Sequence, residues 1–236
     1  MEAEIGVVPA HKKGDAEGNV LADTLRVELR ALEVRSHDKI CRSSLGVKAW
    51  QAEMPSVSMA RPPRCRGCGA AARPSGGNLV VHGDGTRERQ VRGPATADSA
   101  PTMTSVLGRR YECQRCGACM LVVPREILPR RLYTACAIGF ALAMWSLLGA
   151  TETVVRTHVS PLAVVGAAAC GGWVTLRRWA ADTTSGRLFG TSRAPPADFT
   201  LRQHAERAAA ALGALAPAGL RGVHAAFAGG ALHRPP

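Results

Sequence analysis

Cys65-Arg66-Gly67-Cys68-Gly69 and Cys113-Gln114-Arg115-Cys116-Gly117 are the two stretches on which the reading of this chain turns. Each is a CxxCG knuckle. Two thiolates three residues apart on a tight turn can both reach one zinc ion at about 2.3 Å. A glycine directly after the second cysteine lets the backbone take positive φ and turn its amides toward sulfur. Together the knuckles offer four ligands, Cys65, Cys68, Cys113 and Cys116. A Zn2+ held by four thiolates is structural, because no position remains for substrate water. The 44 residues between the knuckles can be filled by a hairpin and a loop, and loop closure grows costlier only slowly with length. The alternative is a pair of disulfides or unrelated thiols. It fits less well, because no secretion signal is visible and a disulfide inside CxxC usually serves redox chemistry. Cys119 is expected to be a spare thiol on the outgoing strand, and His82 a surface histidine. Cys41, Cys136 and Cys170 read as small core residues.

Outward from the knuckles, the pattern predicts an α+β protein. Residues 61–127 read as a small β zinc ribbon. Leu79-Val80-Val81 and Gln90-Val91 flank HGDGTRER, whose Asp84-Gly85 is a hairpin turn signal. Residues 93–105 look like a flexible loop, and residues 109–113 and 120–123 like a second strand pair. Residues 128–182 read as a helix-turn-helix unit. Residues 183–236 hold a linker, Ala194-Pro195-Pro196, and a pair of C-terminal helices. Thr200 with Gln203 forms a capping box. Leu201, Ala205, Ala208, Leu212 and Leu215 would share one face of the helix that follows, and Pro217 would end it. Residues 1–60 read as a poorly ordered extension with one helix over 20–34. Met59 is a natural start, so residues 1–58 are expected to be an annotation extension or a fused remnant. Residues 8–23 are similar to the last motif of ribonuclease H, but no preceding sheet supplies the carboxylates that two metals need.

Two readings compete for the helical unit. In the first, Ser160 is an N-cap and Pro161 the first helical residue. A short helix over 162–169, a Cys170-Gly171-Gly172 turn and a second helix over 173–180 then give the layout of a DNA reader. Trp173, Leu176, Trp179 and Ala180 would pack inward, while Thr175, Arg177 and Arg178 point outward. The bland version is a helical hairpin with a solvated basic face. In the second reading, the uncharged stretches 132–150 and 159–176, flanked by Arg130-Arg131 and Arg177-Arg178, form a membrane hairpin with a cytoplasmic ribbon. Their Ala and Gly content, Ser160-Pro161 and Gly171-Gly172 argue against it. The acidic first residues lack a hydrophobic signal region, and the expected location is the cytoplasm.

Composition narrows the function classes. Of 236 residues, 46% are hydrophobic and only 4% aromatic, which argues against a large enzyme domain with a deep aromatic pocket. No glycine period or long heptad run is present, excluding collagen-like and coiled-coil classes. The formal net charge is +12, unevenly placed. Residues 1–60 carry 4 Lys, 4 Arg and 9 acids; residues 61–236 carry 22 Arg, no Lys and 9 acids. Genomic base composition can explain Arg over Lys but not Arg over acid. That excess suits a polyanion, because Arg binds phosphate bidentately and stays charged. Arg87, Arg89, Arg92, Arg109, Arg110, Arg130 and Arg131 are candidate phosphate contacts, and Thr175, Arg177 and Arg178 candidate base-edge contacts. No carboxylate pairing or nucleophile constellation marks an enzyme.

The run from about residue 61 to 228 resembles a family of uncharacterised bacterial proteins that join a zinc ribbon to a helix-turn-helix. The pieces that carry the resemblance are PRCRGCG, LVVHGDGTRERQVRGP, RRYECQRCGACMLVVPREILPRRLY, VSPLAVVGAAACGGWVTLRRWA, GRLF and DFTLRQHAERAAAAL. The ribbon is also similar to the N-terminal ribbons of insertion-sequence transposases. The resemblance implies zinc on Cys65, Cys68, Cys113 and Cys116, and DNA as the partner. It also implies a transposase-associated or transposon-derived role in which a separate transposase or recombinase subunit does the cutting.

Overall fold

A run of alternating small, polar and apolar residues from Val81 to Cys113 folds back on itself once and sets the architecture. In the computed structural model, which describes residues 39–166, 171–189, 196 and 198–233, β1 (Lys39–Arg42), β2 (Val81–Pro94), β3 (Pro101–Cys113) and β4 (Cys119–Val123) form one sheet in the order β1-β4-β3-β2. The strand pair β2–β3 is antiparallel from Val81 opposite Cys113 to Pro94 opposite Pro101. The turn therefore lies at residues 95–100, inside the segment expected to be a loop. Asp84-Gly85 is no turn. It is a bulge: two residues oppose Arg110 between the pairs Gly83–Tyr111 and Thr86–Arg109. Gly85 takes φ +84° there, a value that serves a bulge as well as a turn. The extra residue sets Asp84 3.1 Å from the Arg110 guanidinium.

Residues 39–60 are not a loose extension. β1 pairs in parallel with β4, Lys39 opposite Met120 through Arg42 opposite Val123. A short helix, α1 (Val47–Ala52), then covers the edge of β3 beyond β4. Trp50 of α1 is 1% exposed and donates its indole N–H to the Leu107 carbonyl at 2.8 Å. It shares a core with Val81, Val106, Tyr111, Met120, Val123 and Ile127. The helix expected over 20–34, the fragment at 8–23 and Cys170 lie outside the described residues.

The helical layer is built around α2 (Ala135–Leu147). Thr134 caps it, accepting from the Ala137 N–H at 3.1 Å. Every residue from Ala135 to Trp145 is buried. A helix apolar on all sides belongs in the middle of a core, and α3 (Glu152–Val159), α4 (Val174–Thr184), α5 (Leu201–Gly213) and α6 (Gly222–Leu232) supply its surroundings. At 13 residues it is about 20 Å long, short of the roughly 30 Å bilayer core. No helix among the described residues is long and apolar enough to cross a membrane, so the hairpin of 132–150 and 159–176 is not formed as spanning helices. α6 packs through small residues. A Cβ on Gly230 would stand 2.5 Å from the Ala135 carbonyl oxygen, and one on Gly139 of α2 would stand 2.7 Å from that of Ala226.

The second half of the expected helix-turn-helix is present as α4, with Leu176, Trp179 and Ala180 buried. Its first half is not. Residues 161–166 are non-helical, and 167–170 lie outside the described residues. Ser160 ends α3 instead of starting a helix, its N–H bonding the Arg156 carbonyl at 2.8 Å. Its hydroxyl accepts from Leu162 N–H at 3.3 Å and meets the Tyr133 hydroxyl at 2.9 Å. That two-residue turn occupies the side chain that would have capped a helix. The capping box at Thr200 and Gln203 forms as expected. Ala205, Ala208 and Leu212 are buried, whereas Leu201 and Leu215 at its ends are exposed.

Sheet and helices meet through the β2–β3 strand pair. Arg92 bonds through its backbone to Leu132 and Thr134 at 2.8 and 3.1 Å, just ahead of α2. At the other side Arg42 donates to the Arg125 carbonyl at 2.5 Å and to the His233 carbonyl at 2.5 Å. The first strand is thus tied to the end of the last helix. Trp50→Ala is expected to cost about 3–5 kcal/mol in urea unfolding of the purified protein. A cost below about 1 kcal/mol would show that residues 39–60 are dispensable to the sheet core.

Candidate metal centre and the arginines around it

The two knuckles fold alike because the same hydrogen bonds close both. Gly69 N–H bonds the Cys65 carbonyl at 2.9 Å, and Gly117 N–H bonds the Cys113 carbonyl at 2.8 Å. Cys65 and Cys113 in turn donate their N–H groups to Ala70 and Ala118 at 2.8 and 3.0 Å. Gly69 and Gly117 have φ of +74° and +66°, the conformation expected of the glycine after the second cysteine. The second knuckle is the turn between β3 and β4. The first precedes β2 and is pinned beside it, with Val80 N–H on the Ala72 carbonyl at 2.9 Å and Gln114 N–H on the Val80 carbonyl at 2.8 Å.

This juxtaposition brings the sulfurs of Cys65, Cys68, Cys113 and Cys116 within 4.8 Å of one another. Two of the cross-knuckle separations are 3.6 Å (Cys65–Cys116) and 3.8 Å (Cys68–Cys113). A tetrahedron of sulfurs around a metal at 2.3 Å has edges of about 3.8 Å, so the four thiols fit one such ion. The spacing is far too long for disulfides, whose S–S distance is about 2.05 Å, and the described cysteines are all free. Cys65 and Cys113 are buried; Cys68 and Cys116 face solvent. Gly67 is required by this approach: a Cβ there would lie 2.7 Å from that of Ala118 and 3.2 Å from the Cys116 sulfur.

The thiols also show why a cation belongs among them. Burial pushes the Cys65 thiol up. Hydrogen bonds from the backbone at Cys68 and Gly67 and from Cys113 and Cys116 outweigh that and bring it down to about 7. The Ala118 N–H favours a thiolate at Cys116, but burial and the three neighbouring cysteines push it up to about 12. One thiolate forms readily and the next is opposed. A bound dication removes that opposition and displaces the protons.

Two other candidates stay outside the cluster. The Cys119 sulfur accepts from an Arg110 guanidinium nitrogen at 3.4 Å. The His82 ring nitrogen Nε2 lies 2.8 Å from the Leu79 carbonyl oxygen.

The arginines proposed from sequence divide into two kinds. Arg89 donates to the Leu128 and Arg131 carbonyls at 3.2 and 3.1 Å, and Arg92 to the Gln90 side chain at 3.0 Å. Arg109 donates to the Pro55 carbonyl at 2.9 Å, and Arg110 pairs with Asp84. Arg131 pairs with the buried Asp182, which Arg187 also contacts at 2.8 Å. Arg177 pairs with Glu152 at 2.7 Å. These guanidiniums hold the fold together. Arg87, Arg130 and Arg178 are exposed, and Thr175 is half-buried. Sequence reasoning passed over four further cations: Lys39, Arg64, Arg66 and Arg115, all exposed and all on or beside the knuckles. For the three arginines, their position inside or next to the CxxC repeats was the available signal; Lys39 reaches the knuckle only through the fold and gave none.

No family model matches this chain, and no curated protein or solved structure is significantly similar to it.

About one equivalent of metal per chain is expected by elemental analysis of protein purified without chelator. Cys113→Ser should abolish it, and Cys119→Ser should leave it unchanged. Because binding needs thiolates, metal affinity should rise with pH through neutrality, where Cys65 titrates, and fall as protons return below pH 7. A metal affinity, measured by competition with a chelator, that did not change between pH 5.5 and 8 would contradict thiolate ligation.

Proposed function

We propose that this protein is a zinc-stabilised DNA-binding protein. Four thiolates at tetrahedral spacing suit Zn2+, which binds sulfur strongly and has no redox chemistry to damage the thiols. Zinc would close the ribbon and supply rigidity, with no open coordination position and no reaction of its own. The observation that carries the DNA reading is the surplus of 22 arginines over 9 acids after residue 60 on this scaffold. The resemblance to transposase ribbons supports the same partner. In that role the chain would recognise or hold DNA while a separate transposase or recombinase subunit cuts. Arg130 and Arg178 remain the contacts best placed by exposure on the helical side, with the half-buried Thr175 beside them on α4. Arg177 would have to leave Glu152 to reach a phosphate. Without a described first helix, base reading by α4 rests on that helix alone.

Binding to duplex DNA should weaken steeply with salt, the logarithm of the association constant falling by about 0.9 per phosphate neutralised for each unit of log salt. Fluorescence anisotropy of a labelled duplex from 50 to 300 mM KCl measures the slope. A flat dependence, or no binding at 50 mM, would sink the proposal.

A further inference from the structure

We propose that the tip of the two knuckles is a phosphate-binding surface, formed by Lys39, Arg64, Arg66 and Arg115 and scaffolded by the metal. The inference rests on the DNA-binding reading and names where the backbone is held. Arg66 and Arg115 lie between the paired cysteines of their knuckles, and both are exposed. The chain segments bearing them touch: the sulfurs of Cys65 and Cys116 are 3.6 Å apart, and Gly67 abuts Ala118. Arg64 precedes Cys65, with one guanidinium nitrogen 3.5 Å from the Gly69 carbonyl oxygen. Lys39 reaches the same turn from β1, its Nζ donating to the Arg66 carbonyl at 3.2 Å.

Residues 61–83 and 113–125 contain no Asp or Glu. The carboxylates nearest in sequence to these stretches are Asp84, which is paired with Arg110, Glu112 on β3 and the buried Glu126; Asp38 precedes Lys39. Four exposed cations from separate segments thus lie on or beside the knuckles whose Cys68 and Cys116 are open to solvent, with Arg66 also bonding the Cys41 thiol. None of the four is ion-paired to a described carboxylate, unlike Arg110, Arg131 and Arg177. A dication held by four thiolates keeps a net negative charge, which accounts for some positive charge close by. Four cations exceed what that neutralisation asks. Guanidiniums on short, cross-braced turns lose little freedom on taking up a phosphate and can do so bidentately.

The test compares the full chain with Arg64→Gln/Arg115→Gln, with Lys39→Gln, and with Arg202→Gln on α5, which changes the charge as much as Lys39→Gln does. Bound metal and the salt slope on a mixed-sequence duplex of 20 base pairs are read for each. The expected result is unchanged metal, with the slope smaller by about 2 in the double variant and about 1 in Lys39→Gln, and unaltered in Arg202→Gln. Metal retained with an unchanged slope overturns the proposal. If the double variant loses its metal, its arginines serve the thiolates, and Lys39→Gln decides: an unchanged slope there overturns the proposal as well. Competition by poly-glutamate as effective per charge as the duplex would also overturn it, by showing a surface for acidic polypeptide. If the unaltered chain does not bind duplex, the DNA reading itself fails; if it binds and only these variants are silent, the reading stands and the knuckle tip is excluded.

Discussion

Four thiols packed within 4.8 Å of one another cannot all ionise without a cation between them, and the ribbon end of the sheet depends on how that conflict is resolved. The first knuckle has no strand or helix of its own. A few backbone bonds and the approach of Gly67 to Ala118 fix it beside the second. A metal shared by both knuckles converts repelling groups into four bonds and closes a segment of more than forty residues. The free energy of binding is then free energy of folding for that end of the sheet. The helical layer has no such dependence. Ile138, Leu142, Leu176 and Leu212 are each less than 2% exposed, and Tyr133, Trp173 and Trp179 meet edge-on with centroids 5.0 to 5.9 Å apart. The apolar core owes nothing to the four thiols; the ribbon tip is where a bound metal would add its binding energy to folding.

What could be read from sequence was what is encoded locally. A CxxCG knuckle carries its ligands, its turn and its positive-φ glycine within five residues, and the capping box at Thr200 within four. The α+β class and the inward residues of α4 followed from periodicity. The Asp84-Gly85 reading failed because a glycine at positive φ satisfies a bulge and a hairpin turn equally. Only pairing with β3, which runs on to Pro101, distinguishes them. β1 was missed for a stronger reason. Its four residues pair in parallel with β4 some eighty positions away, and a parallel partner leaves no turn signal between the two. Trp50, a lone aromatic in a polar stretch, gave no periodicity either. Ser160-Pro161 is a sound helix start in isolation, but the same hydroxyl was taken by a turn and by Tyr133.

The junction between sheet and helices holds charges that no local pattern announces. Arg42 bonds two carbonyls from distant parts of the chain, and Glu126 accepts the Val47 N–H at 2.9 Å beside it. Burial pushes the Glu126 carboxyl up and the Arg42 guanidinium down, and the attraction between them offsets part of each shift. Cys136, in the same region, is pushed up to about 12, first by burial and then by Glu126. It is therefore a neutral thiol that packs, as its sequence setting implied. Arg42 and Glu126 each satisfy backbone groups that the fold would otherwise leave stranded.

The same distinction governs how the basic balance of the chain should be understood. A guanidinium bound to carbonyl oxygens keeps its charge, so Arg89 and Arg109 still attract a polyanion from a distance. That attraction is screened beyond about 10 Å at 0.1 M salt, and a cation paired with a carboxylate must give up that partner before it can grip a phosphate. Formal charge sets how strongly a protein draws a polyanion toward it. The hydrogen-bond partners of each arginine set how many phosphates it can hold once there. By that measure the helical side, where Arg131 and Arg177 are paired with buried Asp182 and with Glu152, offers fewer free contacts than its sequence suggests. The knuckle tip, whose cations have no carboxylate partner among the described residues, offers more. A metal that relieved the thiols would also hold those cations in place, because Arg66 and Arg115 lie between the paired cysteines of their knuckles.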